Sequence, residues 1–194
     1  ILYEPLQKAS GDLYDYFDLN GKLNGLSLFD ISGHGISASM ISVMAKNVIR
    51  RNFLRGHALE ESPSKILSKI SREIAEEKGE VDNYLTGIIM TIDSFSRTDE
   101  CEVHIANGGH PYPILYRASQ EKAEEILPDN LENQFGAIGI KDFDTSFPTV
   151  DFFMAIDDVL VLFTDGVTES ENVMKIQFGK HRLKAAIVEN ASKS

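Results

Sequence analysis

Leu26-Ser27-Leu28-Phe29-Asp30-Ile31-Ser32-Gly33-His34-Gly35-Ile36-Ser37-Ala38 is the stretch whose reading decides the fold. Strand side chains alternate with period two, so Leu26, Leu28 and Asp30 share one face of a short strand. An apolar face that ends in an acid and runs at once into Ser32-Gly33-His34-Gly35 describes a strand breaking into a tight turn, where glycine permits backbone geometry that a Cβ forbids. A helix is expected to begin near Ile36. A carboxylate at a strand end, a glycine turn and a helix start together build metal and phosphate sites. Taken alone, the stretch reads equally well as a surface turn whose Asp30 caps the helix. Two other segments decide between these readings: Ser10-Gly11-Asp12-Leu13-Tyr14-Asp15, and Phe163-Thr164-Asp165-Gly166-Val167-Thr168-Glu169. Three acidic strand ends cannot lie close together without a cation to offset their repulsion.

Composition sets the frame. The 194 residues suit one domain with a sizeable core, and 42% hydrophobic with 25% charged residues is an ordinary globular balance. The net charge of −11 argues against a nucleic-acid surface. No apolar run approaches the length of a bilayer span, so no membrane contact is expected of this domain. The chain shows no signal-peptide pattern and does not begin with Met, which predicts excision from something longer. Cys101 stands alone, excludes an internal disulfide and fits a reducing, cytoplasmic setting.

Outward from the central stretch, Ile1 to Tyr16 reads as two strands around Pro5. Asp12 and Asp15 fall on opposite strand faces there, so only one of them is expected at the acidic site. Asn20-Gly21-Lys22 predicts a hairpin turn into the Leu23 to Ile31 strand. From Ile36 to Arg55 the pattern is helical: Met40, Met44 and Val48 form one apolar line and Ile41, Ala45, Ile49 and Phe53 its neighbour, with Gly56 as the stop. A second helix is expected from Ser62 as N-cap and Pro63 in the first turn, burying Ile66, Leu67, Ile70 and Ile74 and ending at Lys78-Gly79. Tyr84 to Asp93 is apolar enough for a buried central strand. Ser94 to Glu100 reads as a hairpin loop, and Cys101, Val103 and Ile105 then alternate with Glu102, His104 and Ala106.

Asn107-Gly108-Gly109-His110-Pro111 is a second glycine-rich turn, and Tyr112 to Arg117 returns as a strand. His110 is a candidate ligand or phosphate contact, though local hydrogen bonding is the commoner reason for a histidine in such a turn. Ala118 to Glu125 reads as a solvated charged segment and Leu127 to Pro148 as an irregular connection suited to substrate contact. Val159 to Thr164 is expected to be a strand buried on both faces. Phe178 to Asn190 is the last helix, with Leu183, Ala186 and Ile187 inward.

In order along the chain, SGDLYDYF, DISGHGISASM, NGGHPYPILYR and VLVLFTDGVTES resemble the metal-dependent protein serine/threonine phosphatases (PPM, type 2C). The nearer branch is the bacterial one typified by the stage II sporulation phosphatase E and the phosphatases that regulate the stress sigma factor. The resemblance implies an α+β fold: a four-layer α-β-β-α sandwich of two antiparallel sheets flanked by helices, with residues 1–194 forming a single phosphatase catalytic domain. It also implies two Mn2+ or Mg2+ ions. By similarity Asp30 bridges both, the Ile31 carbonyl binds one, Asp165 binds the other, and Asp12 sits beside the centre holding a water. Oxygen-only ligands suit these hard cations and disfavour zinc. The implied activity is hydrolysis of phosphoserine or phosphothreonine by a metal-activated water, with Asp12, Asp30 and Asp165 as the catalytic set. Implied partners are a phosphorylated anti-sigma-factor antagonist and an upstream sensor or regulatory domain; separately, a tail lacking its last strand would leave an exposed β-edge, from which pairing with a second copy in a dimer is expected.

Three departures from the family pattern stand out. Ser10 replaces the first of two glycines before Asp12. His34 is not equated with the catalytic histidine of the eukaryotic enzymes, since Ser32 lies nearer that place. The last metal ligand of the family, in an Asp-Asp-x-Thr setting after the final helix, has no counterpart before Ser194, which predicts a truncated C-terminal end. The rival function is therefore a pseudo-phosphatase that uses the same fold as a binding or regulatory module. Retention of Asp12, Asp30 and Asp165 counts against it.

Overall fold

A computed structural model describes residues 11–33, 35–93, 99–129, 136–141 and 146–191. The expected strand before Pro5, Ser10, His34 and most of the Ser94 to Glu100 loop lie outside the described residues.

The first hairpin joins β1 (Leu13–Leu19) to β2 (Lys22–Ile31). Its two turn residues, Asn20 at φ 59° and Gly21 at φ 75°, take the left-handed conformations that match the twist of a tight hairpin. β2 pairs with β3 (Leu85–Ile92), β3 with β4 (Glu100–Gly108), and β4 with β7 (Thr149–Ala155), all antiparallel. The order β1-β2-β3-β4-β7 places the apolar β3 at the centre, as its composition predicts. A smaller sheet has the order β6-β5-β8, from β5 (Ile114–Arg117), β6 (Lys122–Glu125) and β8 (Val159–Val161).

Two helices, α1 (Ile36–Ala58) and α2 (Pro63–Lys78), cover one face of the larger sheet. Phe29, Ile31, Leu85, Ile89 and Ala106 point to that side and join Ile41, Ala45, Val48, Ile49, Phe53, Ile66, Leu67, Ile70 and Ile74 in one core. Ile88, Met90, Val103, Ile105 and Phe152 point the other way and meet Leu115 and Leu160 of the smaller sheet, with Leu162 just past β8, in a second core. A short helix α3 (Asp165–Glu169) follows β8, and α4 (Gly179–Ala191) packs on the outside of β5 and β6. The result is the α-β-β-α sandwich. Caps agree with the sequence at α2: the Ser62 side chain accepts from the Lys65 amide, Pro63 opens the helix, and Gly79 leaves it at φ 63°.

Several local expectations are corrected. α1 runs through Gly56 to Ala58, and Gly56 is buried because a Cβ there would strike the Ile66 side chain; the glycine allows close helix contact rather than ending the helix. Met40 is exposed at the outer edge of α1, while Val48 on the same line is buried. Part of the charged segment after Arg117 is strand β6, and the end of the supposed irregular connection gives way to β7, whose Val150, Phe152 and Met154 alternate with Thr149, Asp151 and Phe153. Ile138 within that connection is buried and pairs with Leu85. β8 is shorter than expected and half-buried, since within the described residues it pairs with β5 alone. Of the three inward positions expected on α4, Leu183 and Ile187 are half-buried and Ala186 is exposed.

Candidate metal centre

The register of the large sheet builds the site. Leu13 pairs with Phe29, so the next step places Asp12 across from Asp30, and Asp30 in turn pairs with Thr86. These side chains share the face turned toward the smaller sheet, at the end of the sandwich where β2 stops. From the smaller sheet, the chain leaving β8 brings Thr164 and Asp165 over the same end. The Thr164 hydroxyl donates to Asp12 Oδ2 at 3.1 Å, which ties the two sheets together at the acids.

Gly11 has a specific role here. A Cβ at that position would lie 2.8 Å from the Ile31 carbonyl oxygen, so only glycine lets the strand carrying Asp12 pass so close to that carbonyl. Asp15 is on the opposite face, where it pairs with Arg50 of α1 at 3.1 Å. Of the two aspartates in the first motif, Asp12 alone belongs to the site.

The turn after Asp30 is strapped down by the segment before β3. The Ser32 amide donates to the Tyr84 carbonyl and the Tyr84 amide to Ser32 Oγ, each at 2.8 Å, while the Asn83 side-chain amide donates to the Ser32 carbonyl. Gly33 at φ 87° and Gly35 at φ 88° take the left-handed geometry that the turn requires. The sequence signal for Asn83 was absent, since nothing in its neighbourhood marks it as the clasp of a distant turn.

A cavity of about 360 Å³ opens between Asp30, Ile31, Ser32, Thr86, His110 and Asp165. Within it the acids act on one another. Burial, then the Asp12 and Asp165 carboxylates, push the Asp30 carboxyl from its ordinary 3.8 up to about 7, and Asp12 accepts a hydrogen bond from its protonated form. Three carboxyl groups are thus held together by the fold, at the cost of keeping a proton on Asp30.

His110 is buried beside them. Its Nε2–H donates to the Phe163 carbonyl at 3.1 Å, so its Nδ1 accepts from the Thr86 hydroxyl at 3.3 Å. Burial lowers its pKa to about 4, and the neutral ring supplies the one donor and one acceptor that these partners need. Asn107 brackets its backbone, accepting from the His110 amide at 2.8 Å and donating to its carbonyl at 2.9 Å. His110 therefore fixes the strand end that leads to Asp165, and both its ring nitrogens are already engaged. The local hydrogen-bonding reading of this histidine holds.

Residues 21–194 match the family model of stage II sporulation protein E (SpoIIE). The chain belongs to the SpoIIE family. It is 27% identical over 170 residues to the phosphoserine phosphatase RsbP of Bacillus subtilis, a match covering 86% of this chain and 38% of RsbP. This SpoIIE-family chain thus spans well under half the length of that relative. In fold it is similar to the SiaA-PP2C domain of Pseudomonas aeruginosa, with TM-score 0.77, 18% identity, and coverage of 97% of this chain and 70% of that one. It is also similar to the catalytic domain of the serine/threonine phosphatase PstP in complex with two manganese ions, with TM-score 0.60 and 12% identity over 97% of this chain and 84% of that one. The α-β-β-α architecture is that of the PP2C phosphatases. Among the described residues no helix is long and apolar enough to cross a membrane.

Proposed function

We propose that this SpoIIE-family chain is a metal-dependent protein serine/threonine phosphatase whose centre is formed by Asp12, Asp30, the Ile31 carbonyl and Asp165. The observation that carries the proposal is the convergence of three aspartates, with the Asp30 carboxyl displaced to about 7 by burial and by its neighbours. Cations relieve that displacement, and the oxygen donors at this end are those that Mn2+ or Mg2+ take. Among the described residues the histidine at the site is His110, and both its nitrogens are occupied, so it offers no nitrogen donor of the kind that zinc favours.

Asp30 and Asp165 would hold the two ions together with the Ile31 carbonyl. When bound, the ions supply charge neutralisation for phosphoryl oxygens and acidify an attacking water. The chain itself contributes position. The Thr164 hydroxyl fixes the rotamer of Asp12, so that its other oxygen is directed at the centre. The Ser32–Asn83 clasp holds the backbone that presents Ile31, and His110 holds the approach to Asp165. With a water acidified by the ions as the attacking group, no protein nucleophile or phosphoenzyme would be needed.

The substrate we propose is a phosphoserine or phosphothreonine on a regulatory protein, by analogy with RsbP, with an anti-sigma-factor antagonist as its class. An open cavity lined by backbone turns suits a phosphorylated side chain carried on a folded partner. Manganese-dependent phosphate release from a phosphoserine protein tests the proposal. Asp30→Asn should abolish turnover while the fold persists. Turnover near that of the unaltered chain at saturating manganese would remove Asp30 from the centre, and manganese binding without hydrolysis of any phosphoprotein would favour the pseudo-phosphatase.

A further inference from the structure

β3 carries a second group of ligating side chains at the end opposite the acids. Asp30 pairs with Thr86 near the start of β3, and Asp93 follows its last residue, seven positions and roughly 23 Å further on. Glu102 and His104 project from β4 on the helix-facing side of the large sheet, in the same alternation as the buried Ala106. One ligating atom each from Asp93, Glu102 and His104 all lie within 4.8 Å of one another.

The geometry of His104 separates this group from a set of surface acids. Its Nδ1 is 2.9 Å from Asp151 Oδ1 on β7, directly across the ladder. That hydrogen bond places the ring proton on Nδ1 and leaves the Nε2 lone pair directed away from Asp151. Nε2 lies 3.6 Å from Asp93 Oδ2, too far for a hydrogen bond. Two donors bound about 2.1 Å from one ion at a tetrahedral angle stand about 3.4 Å apart, close to the observed separation. A carboxylate behind a ligating histidine is the usual outer support of a transition-metal site, because it fixes the tautomer and raises ligand basicity. Here the support and two of the three ligands, Glu102 and His104, are on adjacent paired strands, so little ordering is needed on binding.

We propose that Asp93, Glu102 and His104 bind one Zn2+-class ion, with Asp151 as the positioning residue behind His104 and solvent completing the coordination. The mixed nitrogen and oxygen set selects a borderline metal, whereas the oxygen-only acids at the other end select Mg2+ or Mn2+. A solvent-facing position on the sheet gives the ion free entry. The alternative role for His104 is that of a cation offsetting three surrounding acids, which requires no metal.

Calorimetric titration with zinc chloride, in saturating magnesium to fill the acidic end, distinguishes the two. The chain should bind zinc at one-to-one stoichiometry. His104→Gln should abolish the isotherm, Asp151→Asn should weaken it about 10–100-fold, and Asp30→Asn should leave it in place. Asp93→Asn, at a largely exposed position, should also weaken binding and carries the test if His104→Gln fails to fold. Visible d–d absorption on cobalt addition should follow the same pattern across the variants. A chain that binds no zinc, or a zinc isotherm indifferent to both His104→Gln and Asp93→Asn, overturns the proposal.

Discussion

Removing the charge of Asp30 should stabilise the metal-free protein at the same time as it destroys the metal centre. The Asp30 carboxyl lies at about 7 in the fold against an ordinary 3.8, through burial and the nearby Asp12 and Asp165. Between those two values the folded chain keeps a proton that the unfolded chain releases. The associated stability is fully present below 3.8 and is lost as pH rises through about 7. The full displacement corresponds to about 4 kcal/mol. Because the site opens to water, solvent screening reduces this to ~1–2 kcal/mol. Urea unfolding in chelator at pH 5 and pH 8 reads the effect directly. Since pH 5 already lies above 3.8, the unaltered chain should lose about two-thirds of that amount, ~1 kcal/mol, more than Asp30→Asn between the two pH values, and manganese should restore the loss only where Asp30 is present. Identical pH profiles for both proteins would refute the account, because they would mean that the three acids do not press on one another in the folded chain.

Asp12→Asn should lower phosphatase turnover strongly while Asp15→Asn should cost under about 1 kcal/mol of stability and leave turnover alone, since Asp15 bonds the exposed Arg50 and the Tyr16 amide, away from the acids; manganese titration and turnover of the two variants compare them. His110→Ala should reduce metal affinity without introducing a new ionisation into the pH–rate profile between pH 5 and 8, because the imidazole is held neutral by burial. A lost limb in that profile would instead make His110 an acid or base. Gly87→Ala should destabilise the chain by roughly 1–3 kcal/mol, because the new Cβ would enter the ring of Phe29 in the tightly packed core under α1. A melting temperature unchanged by that substitution would show that β3 and Phe29 can separate at little cost.

The sequence carried the elements whose periodicity is set by a single packing face. α2 is legible because Ser62, Pro63 and the Ile66-Leu67-Ile70-Ile74 stripe agree at every level. β3 is legible because its composition announces burial on both faces. β7 was not legible in the same way. Its apolar Val150, Phe152 and Met154 are interrupted by Phe153, which is exposed, so an apolar residue stands where alternation demands a polar one. β6 was hidden more deeply, because Lys122-Ala123-Glu124-Glu125 has no apolar face and is a strand through pairing with β5 and cover from α4. Gly56 shows a further limit: a glycine near a helix end and a glycine at a helix crossing look alike until Ile66 is seen against it.

At the acidic centre the division is similar but sharper. Asp12, Asp30 and Asp165 could be nominated because each stands where an apolar run meets a glycine step, and a carboxylate there needs a reason. What a linear sequence cannot express is the register that sets Asp12 across from Asp30, or the crossover that drops Asp165 onto them from the second sheet. The groups that hold the acids in place are ordinary in sequence: Thr164, Asn83, Thr86, and the glycine at position 11 that the Ile31 carbonyl demands. Each acts on a residue far away in the chain, so local propensity contains no trace of it. The acids repel one another, and the backbone clasps around them are what prevents the strand ends from splaying to relieve that repulsion. A centre built in this way is preorganised for cations before any arrives, because the electrostatic cost has been met by folding rather than by binding. Loosening a clasp, for instance by Asn83→Ala, should therefore lower metal affinity even though the Asn83 side chain bonds the Ser32 carbonyl and the Ser37 hydroxyl rather than an acid. An unchanged manganese affinity in that variant would place the preorganisation in the sheet register alone.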